Sequence, residues 1–318
     1  MPEESDFTKF KLMWQIEYIL VRTLYMFVAL IPFSWGGIIS RMLAFITRNI
    51  FLYRRRVVRS NLNRAFPEFT SRQLNEIERE VYRNFMMLWI EILQNFRLSL
   101  EFFTRHFKVY NWDVVEQARQ QNKGIIFLSS HFGNYEWVGG YIGHSVPDFY
   151  VITQRIKNPK VNAFLQGTRE MTRAKLIDRK EGSRKGIEIL LQKKNLGIVT
   201  DQDARAKGIF VDFFGIPSST AVGTAYFHLR TGAAMIFCIS IRKRWGEFEL
   251  HFERLPDLFG QPINDQTLFR ITQMHTTTLE KWIRAYPAQY FWTHRRWKTE
   301  PSAEQLEQYR VYQEWLKE

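Results

Sequence analysis

From residue 125 onward the chain alternates short apolar runs with longer amphipathic stretches, and few folds accept that rhythm. Strand-length runs fall at 125–129, 149–153, 176–177, 197–200, 235–241 and 248–252. Helical spacing marks 135–142, 159–172, 183–193, 221–231 and 266–285. Strands separated by helices imply crossover connections, so the expected fold class is α/β, a mainly parallel sheet flanked by helices. At 318 residues the chain can bury a full core. It shows no internal repeat, low-complexity tract or linker. The simplest division is an N-terminal membrane-associated helical region, 1–60, ahead of one α/β domain, 61–318.

Ahead of the alternating region, 61–69 reads as a loop ending in Phe66-Pro67-Glu68. Thr70-Ser71-Arg72-Gln73 fits a capping box. Leu74, Ile77, Val81, Phe85, Leu88 and Ile92 then recur at helical spacing, which predicts a long amphipathic helix to about Phe96 with its apolar stripe in the core. The single cysteine, Cys238, lies in an apolar run; it excludes an internal disulfide and reads as an inert core thiol.

The N-terminus is apolar from Leu12 to Phe33, broken by Gln15, Glu17, Arg22 and Thr23 and closed by Pro32. Acidic residues precede it (Pro2-Glu3-Glu4-Ser5-Asp6), and no small-residue cleavage site follows, which argues against a cleaved signal. Lys11, Gln15, Tyr18 and Arg22 make one narrow polar stripe. A second apolar helix is expected over 35–52, then the basic cluster Arg54-Arg55-Arg56-Val57-Val58-Arg59. One reading is a helical pair dipping into or spanning a bilayer, its arginines on anionic headgroups. The other is a soluble hairpin packed on the domain.

Net charge is +13, and aromatic residues make up 16% of the chain. That field favours an anionic partner, whether nucleic acid, membrane or acidic protein, without choosing among them.

The strongest local signal is Ser129-Ser130-His131-Phe132-Gly133-Asn134-Tyr135-Glu136. It follows a buried-strand pattern, Gly133 breaks the strand, and Asn134 fits a helix N-cap. A histidine at a strand end can face a glutamate in the next helix's first turn, giving a base near neutral pH with a partner for its charge. Spacing alone is weak, because the chain has 7 histidines and the same interval recurs at His275 and Glu280. That second pair falls inside a predicted helix, where five positions turn about 140° and the side chains diverge.

Three more segments end strands or open helices, where open α/β sheets place sites. Asp201 and Asp203 in Thr200-Asp201-Gln202-Asp203 can hold a metal, orient a base or cap a turn. Ser218-Ser219-Thr220-Ala221-Val222-Gly223 reads as a helix opening with hydroxyls and amides for an anion, or as an ordinary cap. Arg169 and Arg173 share a helix face that suits phosphate or simply water. The stretch Tyr290-Phe291-Trp292-Thr293-His294-Arg295-Arg296-Trp297-Lys298 mixes rings and cations, as a single-stranded nucleic acid or an anionic amphiphile would require. No nucleic-acid module surrounds it.

Taken together, these segments resemble the late acyltransferases of lipid A biosynthesis (lauroyl/myristoyl type) within the lysophospholipid acyltransferase superfamily. The resemblance runs through Asn61-Leu62, Ala65-Phe66-Pro67-Glu68, His131-Phe132-Gly133-Asn134-Tyr135-Glu136, Leu176-Ile177-Asp178-Arg179-Lys180, Asp201-Gln202-Asp203, Val211-Asp212-Phe213-Phe214-Gly215, Thr220-Ala221-Val222-Gly223 and Gln289 to Lys298, in that order.

It implies a bacterial inner-membrane enzyme, active on the cytoplasmic face, without cofactor or metal. That enzyme would move an acyl group from acyl carrier protein, or from acyl-CoA, to a hydroxyl of a lipid A precursor. A lysophospholipid, aminolipid or mannolipid acceptor stays open, as does a non-enzymatic binder of anionic membrane or nucleic acid. The resemblance makes His131 the base and Glu136 its support, with oxyanion donors near Gly133 and Asn134. It assigns Arg169 to a lipid phosphate, Asp201 and Asp203 to shaping the substrate site, and Thr220, Gly223 and the C-terminal pair Arg295 and Arg296 to binding substrate. Ala221 departs from the family's frequent second threonine, which bears on substrate preference.

Overall fold

The computed structural model describes residues 4–316, with side chains from Leu12 onward; Pro2 and Glu3, and the Lys11 side chain, lie outside the described residues. Helices α1 (Glu4–Leu30), α2 (Gly36–Asn49), α3 (Arg55–Ala65), α4 (Ser71–Ile92) and α5 (Leu100–His106) precede strand β1 (Phe107–Tyr110). Then come α6 (Asp113–Gln120), β2 (Ile125–Ser129), α7 (Tyr135–Ser145), β3 (Phe149–Thr153), α8 (Pro159–Glu170), β4 (Lys175–Asp178), α9 (Gly182–Leu191) and β5 (Asn195–Val199). The chain continues through β6 (Ile209–Phe213), β7 (Ile216–Thr220), α10 (Gly223–Thr231), β8 (Ala234–Arg244), β9 (Glu247–Arg254), α11 (Asp265–Ala285) and α12 (Ala303–Glu314).

The main sheet has seven strands in the order β1-β9-β8-β2-β5-β3-β4, and every neighbouring pair is parallel except the β8–β9 hairpin. The expected α/β class with a mainly parallel sheet is therefore observed. β2 lies inside the sheet, and its alternate residues feed two cores. Ile126 and Leu128 pack with Leu190 of α9 and Phe227 of α10, while Ile125 and Phe127 pack with Trp137 and Ile142 of α7. Helices thus cover both faces, and the carboxyl ends of β2, β3 and β5 open toward one rim.

Local signals work where they are local. Thr70 and Gln73 form the reciprocal capping box that starts α4, although the helix stops at Ile92, short of Phe96. The Asn134 side chain accepts from the Trp137 amide and starts α7. Cys238 is buried, and burial pushes its thiol well up. Other expectations fail. Residues 61–65, read as loop, finish α3. β1 and the antiparallel β6–β7 hairpin were not foreseen. Phe214 and Gly215 both take positive φ at the hairpin turn, so Ser218, Ser219 and Thr220 lie in a strand and the helix opens only at Gly223.

Of the polar stripe of α1, Gln15 and Tyr18 face protein, as does neighbouring Glu17, while Arg22 stays exposed. Glu17 accepts from the Asn158 side chain at 2.9 Å, Gln15 meets Lys160, and the Tyr18 and Tyr25 rings pack edge-on against Phe164. Its apolar side is left outward, with Leu20 63%, Phe27 63% and Leu30 84% exposed. Among the described residues no single helix is long and apolar enough to cross a membrane; the pair Leu12–Leu30 and Phe33–Asn49 passes that test together, bent by 107°. The basic cluster is partly spent inside the protein. Arg55 and Arg59, with Arg48 of α2, converge on the buried Glu78 of α4 at 2.7, 2.5 and 3.0 Å.

Candidate active site

β2 ends in a loop whose shape only glycine permits. Gly133 has φ +54°, and a Cβ there would lie 2.0 Å from the Ser240 carbonyl oxygen. The loop is clamped by the C-terminal motif: Gly133 N–H donates to Gln289 O at 2.9 Å, and Phe291 N–H donates to His131 O at 3.0 Å. Asn61 holds that motif from below, donating to the carbonyls of Trp292 (2.8 Å) and His294 (2.7 Å). His131 is therefore fixed from three stretches of chain.

Its partner is Asp201, not Glu136. The Asp201 Oδ1 lies 2.9 Å from His131 Nδ1 and accepts the His131 amide at 3.0 Å. Burial pushes this carboxyl up, but the His131 ring and amide and the Arg296 charge more than offset that, and the net direction is down. An ionised carboxylate only accepts, so the Nδ1 that faces it carries a proton. Nε2 has the Gln202 amide nitrogen at 3.3 Å.

Glu136 turns instead to Arg169. The guanidinium grips it through Nη2 at 2.6 Å and Nε at 3.2 Å, and the carboxylate holds the Arg169 pKa up. Among the described residues no Glu136 oxygen comes within ion-pair distance of His131. The expected His131–Glu136 contact is thus replaced by two pairs, His131–Asp201 and Glu136–Arg169. The physical reason is competition: a nearby guanidinium offers a charged, two-pronged partner, whereas the neutral imidazole offers one N–H.

Both pairs open on a cleft of about 520 Å³ at the carboxyl ends of β2, β3 and β5. His131, Glu136, Arg169, Gln202, Asp203 and Gly223 line it, and it continues inward over apolar side chains such as Phe127, Ile142, Phe149 and Ile198. Tyr135 also lines it, its ring edge-on to His131 at 4.7 Å. Burial raises the Tyr135 pKa, so the phenol keeps its proton.

The remaining expected residues stand further back. Asp203 reaches the cleft, but its carboxylate accepts from the Thr299 amide and hydroxyl and from the Arg205 amide. Arg296 is 2% exposed; it donates to the Ser219 carbonyl and the Thr220 hydroxyl, near Asp201 and outside the cleft lining. Thr220 is buried with it, and Arg295 is exposed outside the cleft lining. Gly133's amide is already given to Gln289. The Asn134 side-chain amide donates to Glu91 at 2.7 Å, within a buried Glu91–Arg242 pair; that bond does not involve the Asn134 backbone N–H. Gln202 and Tyr135 were missed as site residues although both lie inside quoted motifs; the signal was adjacency to Asp201 and to Glu136.

A histidine held by a carboxylate just past a strand end, opening on a cleft with a charged mouth and an apolar interior, is an arrangement that suits group transfer to or from an amphiphile. The sequence places it more narrowly: the chain belongs to the bacterial lipid A biosynthesis acyltransferases, whose family profile matches residues 7–299. It is 27% identical over 258 residues to the lipid A biosynthesis palmitoleoyltransferase of Escherichia coli (strain K12), covering 80% of this chain and 82% of that protein. The lipid A biosynthesis lauroyltransferase of the same strain is 24% identical over 262 residues, 79% and 81% of the two chains. The phosphatidylinositol mannoside acyltransferase of Mycobacterium tuberculosis (strain CDC 1551 / Oshkosh) is 24% identical over 204 residues, 62% of each. The protein is an acyltransferase.

Proposed function

We propose that this acyltransferase moves a fatty acyl group from an acyl thioester, carried by acyl carrier protein, to a hydroxyl of a lipid A precursor. The observation that carries the reading is His131, with Nδ1 held by Asp201 and its ring lining the cleft. His131 Nε2 takes the hydroxyl proton as the alkoxide oxygen attacks the thioester carbonyl. A tetrahedral oxyanion forms, the C–S bond breaks, and the proton passes from His131 to the departing thiolate. No acyl-enzyme is required.

Asp201 stabilises the imidazolium between these steps. The protonated Tyr135 phenol, beside the His131 ring, suits the oxyanion better than the Gly133 amide, which is already engaged. Glu136 orients Arg169, whose guanidinium is the cleft's candidate phosphate contact.

The outward apolar side of α1, with Trp35, Ile38, Met42 and Phe45 around α2, supports a role at the bacterial inner membrane, acting from the cytoplasmic face. A net charge of +13 favours three anionic partners there: acyl carrier protein, a phosphorylated glycolipid and the membrane itself. The mannoside-acyltransferase relative favours one second reading, in which the acceptor is a mannolipid.

Mass spectrometry of lipids from a deletion strain separates the two. A lipid A species short of one acyl chain, restored by the wild-type gene and not by His131→Ala, is the expected result. Intact lipid A with an under-acylated mannolipid would transfer the reading to the second acceptor.

A further inference from the structure

Helix α7 carries three glycines, and their surroundings differ sharply. A Cβ at Gly143 would lie 2.2 Å from the Thr172 carbonyl oxygen, and one at Gly140 would lie 3.1 Å from both Leu98 and Phe103. At Gly139 it would meet nothing within 4 Å. A glycine inside a helix costs about 1 kcal/mol relative to alanine. At Gly140 and Gly143 close packing accounts for it. At Gly139 no packing does.

The empty space before Gly139 is the cleft. Glu136, Gly139 and Ile142 line it at three-residue steps, so they share one face of α7. Phe127, Phe149 and Val151 of the sheet line it opposite. Beyond Gly139, at Gly143, helix and the Thr172 backbone come too close to admit a side chain; Thr172 still lines the cleft and Gly143 does not. From Glu136 to Gly143 it runs about 10 Å along the helix. One end carries the Glu136–Arg169 pair beside the base, and the other lies at the Gly143–Thr172 contact. Gly167, the other helical glycine with nothing near its Cβ position, is exposed on α8 and lines no cleft.

We propose that Gly139 sets the length of acyl chain this enzyme transfers: the lane it leaves open holds the apolar tail of the thioester donor, and the Gly143–Thr172 contact is its floor. The inference rests on the acyl-transfer reading above. A side chain at Gly139 projects across the lane, so a long tail loses its place while a short tail, ending before Gly139, keeps its own. Alanine favours the helix more than glycine does, so the first variant is expected to fold.

The test uses the full chain in detergent micelles, given an equimolar mixture of short-, medium- and long-chain acyl thioesters of acyl carrier protein with a phosphorylated glycolipid acceptor. Mass spectrometry reads which chains are transferred. Gly139→Ala, Gly139→Val and Gly139→Leu are expected to shift the product stepwise to shorter chains. Transfer of the longest should fall by about tenfold or more in the leucine variant, while transfer of the shortest stays within about twofold of wild type. An unchanged chain-length profile across the series, or an equal fall for every chain, would overturn the inference while leaving acyl transfer intact. A wild-type chain inert toward all the thioesters would overturn the acyl-transfer reading first, and this inference with it.

Discussion

The interval His-x4-Glu occurs twice in this chain, and in neither case does the glutamate serve its histidine. His131 ends β2, 20% of its side chain exposed, with its Nδ1 on Asp201 and a cleft before it. Its interval mate, Glu136, belongs to Arg169. His275 lies in the middle of α11, 4% exposed, with its Nε2 buried and unpartnered. Glu280 accepts from the Phe214 amide and pairs with Arg284. Equal spacing therefore yields one histidine on a carboxylate at a cleft and one buried and held neutral. What separates them is the long-range partner and access to the cleft.

The largest expected effect breaks the first member of the comparison. His131→Ala removes the base and should lower acyl transfer about 10³-fold or more, with far-ultraviolet circular dichroism and melting temperature near wild type. A folded variant with wild-type turnover would end the assignment. Asp201→Asn should come next. An amide in place of the carboxylate no longer requires Nδ1–H and offers no charge to an imidazolium, so kcat should fall about 10²–10³-fold with KM little changed.

Glu136→Gln sharpens the division of labour between the two carboxylates. If Glu136 orients Arg169, the loss should be about tenfold and fall mainly on KM for a phosphorylated acceptor. A kcat loss equal to that of Asp201→Asn would return Glu136 to the histidine, as the family resemblance implies.

The comparison also explains what could be read in advance. The Asn134 cap, the Thr70–Gln73 box and the β2–α7 turn depend on residues within a few positions of one another, and they were legible. So was the sheet, because alternation of apolar runs survives without knowledge of strand order. The His131–Asp201 contact joins residues 70 positions apart, and sequence offered Asp201 three roles without choosing. Arg296 was expected at the substrate because it matches the family's C-terminal arginine pair; only the fold buries it near Asp201. The α1 stripe was visible, but a stripe does not reveal which side faces protein. The β6–β7 hairpin was hidden because Ser218, Ser219 and Thr220 read equally well as the start of a helix.

The smallest effect on turnover, and the clearest contrast, belongs to His275. Burial, aided by the Arg296 charge and opposed by Asp201, pushes its pKa from 6.5 down to about 3. In the unfolded chain the same imidazole protonates near 6.5. Between those values the unfolded state binds more protons, so the contribution is complete above pH 6.5 and is lost as pH falls toward 3. At ~1.4 kcal/mol per pH unit, the window holds about 3–5 kcal/mol. His275→Leu should therefore flatten the unfolding free energy between those limits, read by urea titration at several pH values, and leave neutral-pH acyl transfer within about twofold. An undiminished pH slope would mean that His275 is protonated in the fold. A large loss of activity would mean that the two histidines are functionally linked, through the Arg296 and Asp201 charges that act on His275.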